Sequence, residues 1–171
     1  MTLLSRLFGK REDDLALVRP LWHRVVDIAR EKAWYSDYGI ADTVPGRFDA
    51  ITLVLALVLL RMEREEALIE PSVRLTELFV DDMDGQLRQS GVGDLVVGKH
   101  IGRLMGTLGG RLGALRDALP QDNAALAKVI ARNVTLVENA DAARLVLATR
   151  ALAETLAATS TEDLMAARIV R

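Results

Sequence analysis

The sequence predicts an all-α fold, a single compact helical bundle of six or seven helices, and three observations favour it. Hydrophobic residues make up 50% of the 171 residues and aromatic residues only 4%, so Leu, Val and Ala supply the core, which suits helices better than sheets. Apolar residues recur at helical spacing through most of the chain. One apolar stretch, Ile51 to Leu60, is interrupted only by Thr52 and is too short to span a membrane, which indicates a buried central helix.

The chain begins with a segment, residues 1–12, that we predict to be amphipathic and to precede a single helical domain, residues 13–171. Its apolar residues fall on one side of a short helix, opposite basic residues: they are Leu3, Leu4, Leu7 and Phe8. Such a helix can lie on an anionic membrane surface. The alternative is that it docks on the protein's own domain. The segment lacks the long apolar core of a signal peptide, so the sequence indicates neither a secretion signal nor a transit peptide.

Capping and turn residues divide the first half of the domain. Asp13 and Asp14 can cap a first segment, and Pro20 suits the first turn of the next helix because its missing N–H costs nothing there. A polar loop, Tyr35 to Pro45, then leads to a helix that begins at Gly46 and contains the apolar stretch.

The middle of the chain is predicted to form two helices joined by a tight turn. Pro71 opens the first helix, and the turn Gly91 to Gly93 ends it. The second helix runs from Asp94 to a stop at Pro120.

A helical hairpin is predicted to complete the bundle. Two apolar stripes are broken near Asn139 to Asp141; their members are Leu126, Val129, Ile130, Val134 and Val137, and Leu145, Ala148, Leu152 and Leu156. Residues Ser160 to Asp163 can cap a short final helix that runs to Arg171.

Charges of opposite sign flank the tight turn in the middle of the chain. Three acids come where a helix is predicted to end: Asp81, Asp82 and Asp84. Lys99 and Arg103 open the next helix, and Arg47 lies in the first turn of an earlier one. All of them oppose the helix macrodipole, which favours anions at the N-terminus and cations at the C-terminus. We expect the acids to pair with these basic side chains; the alternative is that Lys99 and Arg103 stay free as a basic patch for a partner.

Glycines form a row along the helix that follows the turn. They recur every four residues and are Gly98, Gly102, Gly106 and Gly110, with Gly109 and Gly113 beside them. A glycine inside a helix costs about 0.5 to 1 kcal/mol relative to alanine, so a row of them requires a compensating close approach of another backbone. One hypothesis is that a helix of the same bundle packs on this row. The other is that the row forms part of a groove for a helix of a client protein.

Two motifs resemble the ubiquinol-cytochrome c chaperone family. They are DMDGQLRQSGVGDLVVGK, residues 82–99, and IAREKAWYSDYGIADTVPGRFDAITLVLALVLLRM, residues 28–62, in which a Tyr, an Asp-Thr and a Gly-Arg-Phe lead into the apolar helix. The chain departs from the family pattern at Gly109, where an aromatic residue would precede Gly110 and Arg111, and in lacking a His in the apolar helix.

The resemblance implies a chaperone that binds nascent or newly inserted cytochrome b and supports assembly of respiratory complex III. It also implies a cytoplasmic, peripheral location at the inner face of a bacterial inner membrane. The charge and glycine hypotheses supply the candidate partner-binding residues, which are Arg47, Asp82, Asp84, Lys99, Gly102, Arg103 and Gly106. The oligomeric state stays open.

Composition and motif spacing favour a protein that is not an enzyme and needs no cofactor or metal. The chain has no cysteine, which excludes disulfides and thiolate chemistry. Its formal net charge of -2 argues against specific nucleic-acid binding. The stretch Gly93 to His100 has the spacing of a phosphate-binding loop but ends in His100 where a hydroxyl should hold magnesium. Asp82 to Gly85 lacks the further acids of a calcium loop.

The alternative function is a helical carrier or binding module for an apolar small molecule such as a quinone or lipid. Loose packing around the clustered glycines would leave room for such a ligand. An enclosed pocket of several hundred Å³ would favour the carrier, whereas a solid core with an exposed groove would favour the chaperone.

Overall fold

Helices account for the regular structure of the described residues, apart from one isolated β-bridge between Ile40 and Leu136. The computed structural model describes the backbone of residues 3–89 and 94–170, and the side chains of residues 12–86 and 101–170. In chain order the helices are α1 Leu3–Ala29, α2 Ala33–Ser36, α3 Val44–Met62, α4 Ile69–Gln89, α5 Asp94–Ala118, α6 Asn123–Asn133, α7 Ala142–Ala158 and α8 Thr161–Met165. A 3₁₀ turn, Glu66–Leu68, precedes α4. The predicted all-α bundle is confirmed.

Helix α3 lies at the centre of the bundle, as its apolar sequence predicts. Every residue from Asp49 to Leu59 is buried, and α3 contacts α1, α4, α5 and α7. Its first turn is capped by Thr43, whose hydroxyl accepts a hydrogen bond from the Gly46 amide at 3.3 Å. Within the described part of the chain, none of the helices combines the length and hydropathy that crossing a bilayer requires.

Helix α1 is continuous through Pro20, so the prediction that Pro20 begins a helix is wrong. Pro20 and Ala16, the residue four before it, are both exposed, so the carbonyl that loses its intrahelical partner can bond water. Asp14 is not a cap either, because its carboxylate lies 3.6 Å from the Arg74 guanidinium on α4. The proposed boundary at residue 12 falls inside this helix, and the separate role of residues 1–12 stays a prediction.

Helix α6 ends at Asn133, one turn before the predicted end of its apolar stripe at Val137. The chain after it is extended and pairs with the loop before α3. Ala41 donates its amide to the Thr135 carbonyl at 2.9 Å, and Val137 donates to the Gly39 carbonyl at 2.9 Å. Tertiary pairing therefore takes these residues out of the helix that their spacing predicts.

The last helix begins as predicted but is shorter. Ser160 caps α8, accepting from the Asp163 amide at 3.1 Å, and α8 then ends at Met165. Ala167 has a φ of 60°, the left-handed conformation that ends a helix. The helix therefore does not reach Arg171, which lies outside the described residues.

Replacing Gly46 with alanine tests the tight entry into α3. A Cβ at Gly46 would lie 1.9 Å from the Ala41 carbonyl oxygen, so the backbone must shift. We expect Gly46→Ala to lower the free energy of unfolding by about 1 to 3 kcal/mol, measured by urea denaturation. Gly85→Ala is the matched control, since a Cβ on Gly85 meets nothing within 4 Å. Equal stability of the two variants would contradict this account of the α3 entry.

Candidate functional site

A buried ion pair joins α3 to α5. Arg111 of α5 donates to a carboxylate oxygen of Asp49 and to the hydroxyl of Thr52, both on α3. The side chains of Asp49 and Arg111 are each only 9% exposed. The second oxygen of Asp49 accepts from the Thr135 amide at 2.8 Å and from its hydroxyl at 2.7 Å. One carboxylate thus holds together α3, α5 and the segment after α6.

The same arginine lies over an aromatic ring. The Arg111 guanidinium carbon is 5.7 Å from the centroid of the Phe48 ring, and Phe48 in turn lies 6.4 Å from Phe79 of α4. A guanidinium over a ring face gains cation–π stabilisation. Arg111 is therefore held from two sides, and its position sets which face of α5 turns towards the core.

The face of α5 opposite Arg111 carries glycines. At about 100° per residue, Gly102 and Gly109 lie about 180° and 160° around the helix from Arg111. Both are exposed, as are Gly106 and Gly110. A Cβ built on any of these four glycines would meet no described atom of another element within 4 Å. The hypothesis that a helix of the same bundle packs on this row is therefore wrong for these glycines; Gly98 lies outside the described side-chain positions.

An apolar groove of about 470 Å³ runs beside this face, between α4 and α5. Leu59 of α3 and Glu63, which directly follows that helix, also line it. Ten residues line it: Leu59, Glu63, Ser72, Val73, Thr76, Glu77, Val80, Asp81, Met105 and Leu112. Two of its apolar side chains are exposed to solvent, Val73 by 52% and Met105 by 40%. We call this site, with its lining residues, the α4–α5 groove.

The α4–α5 groove has an acidic rim. Its lining includes Glu63, Glu77 and Asp81 and, within the described side chains, no cationic residue. Arg116 binds Glu63 at 2.7 Å, and Arg74 binds Glu77 at 3.2 Å. Asp81 is exposed and forms no ion pair within residues 12–86 and 101–170. The groove therefore favours a ligand that is apolar and bears a positive charge.

The acids of the DMDG motif lie in the body of α4 and not at its end. Helix α4 continues for five residues beyond Asp84, to Gln89, so the expectation that a helix ends at these acids is wrong. The macrodipole acts mainly within the last turn, which leaves little of the predicted conflict. Asp81 lines the groove, whereas its neighbour Asp82 is exposed outside it and accepts a hydrogen bond from Gln86 at 3.5 Å. Asp84 is half-buried.

The basic candidates do not pair with these acids among the described side chains. Arg47 instead binds Asp42 at 2.6 Å, on the loop that leads into its own helix. The hydrogen bond from Arg47 lowers the pKa of the Asp42 carboxyl. Arg47 was expected to pair with an acid on another helix. It pairs locally because residues five apart across the helix cap meet more easily than residues on separate helices. Arg103 is exposed and forms no ion pair within residues 12–86 and 101–170. The side chain of Lys99 lies outside those ranges.

Two cavities among the described residues bear on the carrier alternative. The larger is the open α4–α5 groove, and the smaller is an internal space of about 10 Å³ beside Arg111 and Leu115. The smaller space is the size of a single water molecule. A quinone or lipid would need an enclosed pocket of hundreds of Å³. The open groove therefore favours a docked protein segment.

Comparison with known proteins adds an independent finding. The family model described as ubiquinol-cytochrome C chaperone matches residues 36–171. The crystal structure of the Cbp3 homolog from Brucella abortus is similar over 98% of this chain and 95% of that chain, with 31% sequence identity and a TM-score of 0.79. No curated protein sequence matches this chain. The α4–α5 groove and the buried Asp49–Arg111 pair both lie within the matched range.

Alanine substitutions on the open face of α5 test whether it is uncovered. Because a Cβ finds open space at Gly102 and Gly106, alanine should restrict the unfolded chain without a clash. We expect Gly102→Ala and Gly106→Ala each to raise the free energy of unfolding by about 0.5 to 1 kcal/mol. Urea denaturation measures this, and a loss of stability in either variant would show that the face is packed.

Removing one partner of the buried pair tests its structural role. Asp49→Ala leaves a buried guanidinium without its counter-ion, so we expect a loss of about 3 to 5 kcal/mol in the free energy of unfolding. Arg111→Met should cost a similar amount. In the double variant no buried charge remains unpaired, so its loss should be clearly smaller than the sum of the two single losses. Additive losses in urea denaturation would contradict direct pairing.

Proposed function

Because this chain belongs to the ubiquinol-cytochrome c chaperone family, we propose that it binds cytochrome b and supports assembly of ubiquinol:cytochrome c oxidoreductase, respiratory complex III. Family membership carries the coarser part, a chaperone of complex III assembly. The open glycine face of α5 beside the α4–α5 groove supports the finer part, the binding of a client segment. Binding without catalysis is the activity that this surface favours.

The surface has the features that helix recognition requires. Leu59, Val80, Met105 and Leu112 give an apolar surface that a client helix can remove from water. Gly102 and Gly109 lack side chains beside Met105, so a second backbone can approach α5 closely, as in small-residue helix pairs. A newly made membrane-protein helix exposes apolar surface that aggregates unless it is covered. The groove can cover part of such a helix until its permanent neighbours arrive.

We propose a peripheral location at the inner face of a bacterial inner membrane, with the N-terminal end of α1 as the candidate membrane contact. Helices α1 and α4 run in the same direction, because Asp14 meets Arg74 while Trp22 meets Phe79. Helix α1 begins at Leu3, 11 residues before Asp14, so it continues about 16 Å past that contact. The proposed membrane residues Leu3, Leu4, Leu7 and Phe8 lie in that extension; their side chains are outside the described ranges.

Photo-crosslinking tests both the identity of the client and the surface of this protein that binds it. A photoreactive phenylalanine analogue in place of Met105, which is 40% exposed in the groove, should form an adduct with cytochrome b in bacterial cells. The same analogue in place of Leu147, 58% exposed on α7, is the matched control and should not. Mass spectrometry of the adducts identifies the client. Adducts from Leu147 alone, or adducts that lack cytochrome b at both positions, would contradict the proposal.

A further inference from the structure

The charge of the α4–α5 groove narrows the kind of segment that it can hold. Its lining combines apolar side chains with three carboxylates, Glu63, Glu77 and Asp81. Arg116 and Arg74 partly neutralise the first two. Asp81, exposed and without a basic partner in the described ranges, leaves a negative charge at the edge of an apolar surface. A lipid phosphate or a fatty-acid carboxylate would meet repulsion there, whereas a Lys or Arg would meet a partner.

On the basis of the function proposed above, we propose that the α4–α5 groove recognises an apolar helix that bears Lys or Arg at its edge. Membrane proteins supply such segments, because their helices carry an excess of Lys and Arg where they leave the membrane on the cytoplasmic side. The apolar part of the segment covers Val80, Met105 and Leu112, and a basic side chain reaches Asp81. The groove thus selects the cytoplasmic end of a membrane helix over its interior.

The glycines beside the groove determine how close that helix can lie. Gly102 and Gly109 fall on the same side of α5 as Met105, about 60° and 40° around the helix from it. A helix lying on them meets backbone and not side chains, which brings its own flanking residues nearer to the carboxylates on α4. The glycines of α5 and the carboxylates of α4 therefore both contact the same bound segment.

Two synthetic peptides of one design test the inference with the full-length protein. Both are blocked, fluorescent helices of about 14 residues with Leu at i, i+3, i+4 and i+7; one has three Lys on its edge and the other has three Glu. Fluorescence anisotropy measures each Kd. We expect the Lys peptide to bind at least tenfold more tightly than the Glu peptide, and its binding to weaken as the NaCl concentration rises. Equal binding of the two peptides would overturn the inference.

Two neighbouring aspartates provide a matched pair of variants. Asp81→Lys should weaken binding of the Lys peptide about fivefold and strengthen binding of the Glu peptide, because it replaces an attraction with a repulsion. Asp82→Lys makes the same change in net charge one residue away, outside the groove, and should alter either Kd less than twofold. Both side chains are exposed, so both variants should fold. Equal effects of the two variants would show that net charge alone acts, which would overturn a groove-specific site.

Vesicles separate a lipid from a protein segment as the occupant. If the groove held an anionic headgroup, Asp81→Lys would increase binding to vesicles of phosphatidylglycerol more than Asp82→Lys does, and that result would overturn the inference. Failure here is distinguishable from failure of the proposed function. If the wild-type protein crosslinks cytochrome b from Met105 but does not discriminate between the peptides, the proposed preference for a basic segment is refuted and the proposed function is not.

Discussion

The buried contact between Asp49 and Arg111 is the constraint on which the arrangement of this protein depends. Burying two charges is costly, and attraction offsets that cost when the geometry is good and further hydrogen bonds satisfy the two groups. Here Asp49 also binds Thr135, and Arg111 also binds Thr52 and lies over Phe48, while the Nε of Arg111 has no hydrogen-bond partner among the described residues. Because Arg111 is held at the core, α5 can take one rotation only. That rotation turns the glycine face outward and places Met105 and Leu112 against the groove.

Structural and exposed roles are divided between residues of one short motif. In the stretch that leads into α3, Thr43 caps the helix, Gly46 permits a close approach to the Ala41 carbonyl, and Asp49 forms the buried pair. Arg47 differs, because its ion pair with Asp42 is exposed and joins neighbouring parts of the chain. Most of this motif therefore builds the fold, whereas a role for Arg47 in binding a partner stays a prediction.

Local patterns predicted the elements of the fold, whereas contacts between distant residues decided the site. The apolar stretch was sufficient to place α3 at the centre, and Pro120 was sufficient to end α5. The Asp49–Arg111 pair joins residues 62 positions apart, and no local spacing predicts it. The only signal was the occurrence of both residues beside family-like motifs. For the same reason, the glycine row predicted a close approach of another backbone but could not show whether that backbone belongs to this chain. Asp81 could be separated from Asp82 only once the faces of α4 were known.

We propose that the open face of α5 works by receiving another helix. Its most direct test uses a bacterial strain that lacks this protein and compares two rescue variants, Gly102→Leu/Gly109→Leu and Gly102→Ala/Gly109→Ala. Both should fold, since a Cβ finds open space at either position, but only the leucines project far enough to keep a helix away. The measurement is assembled complex III, from the haem b absorbance of membranes, with other respiratory complexes as controls. We expect rescue by the alanine variant and a selective loss of complex III with the leucine variant. Full rescue by a stably folded leucine variant would contradict it.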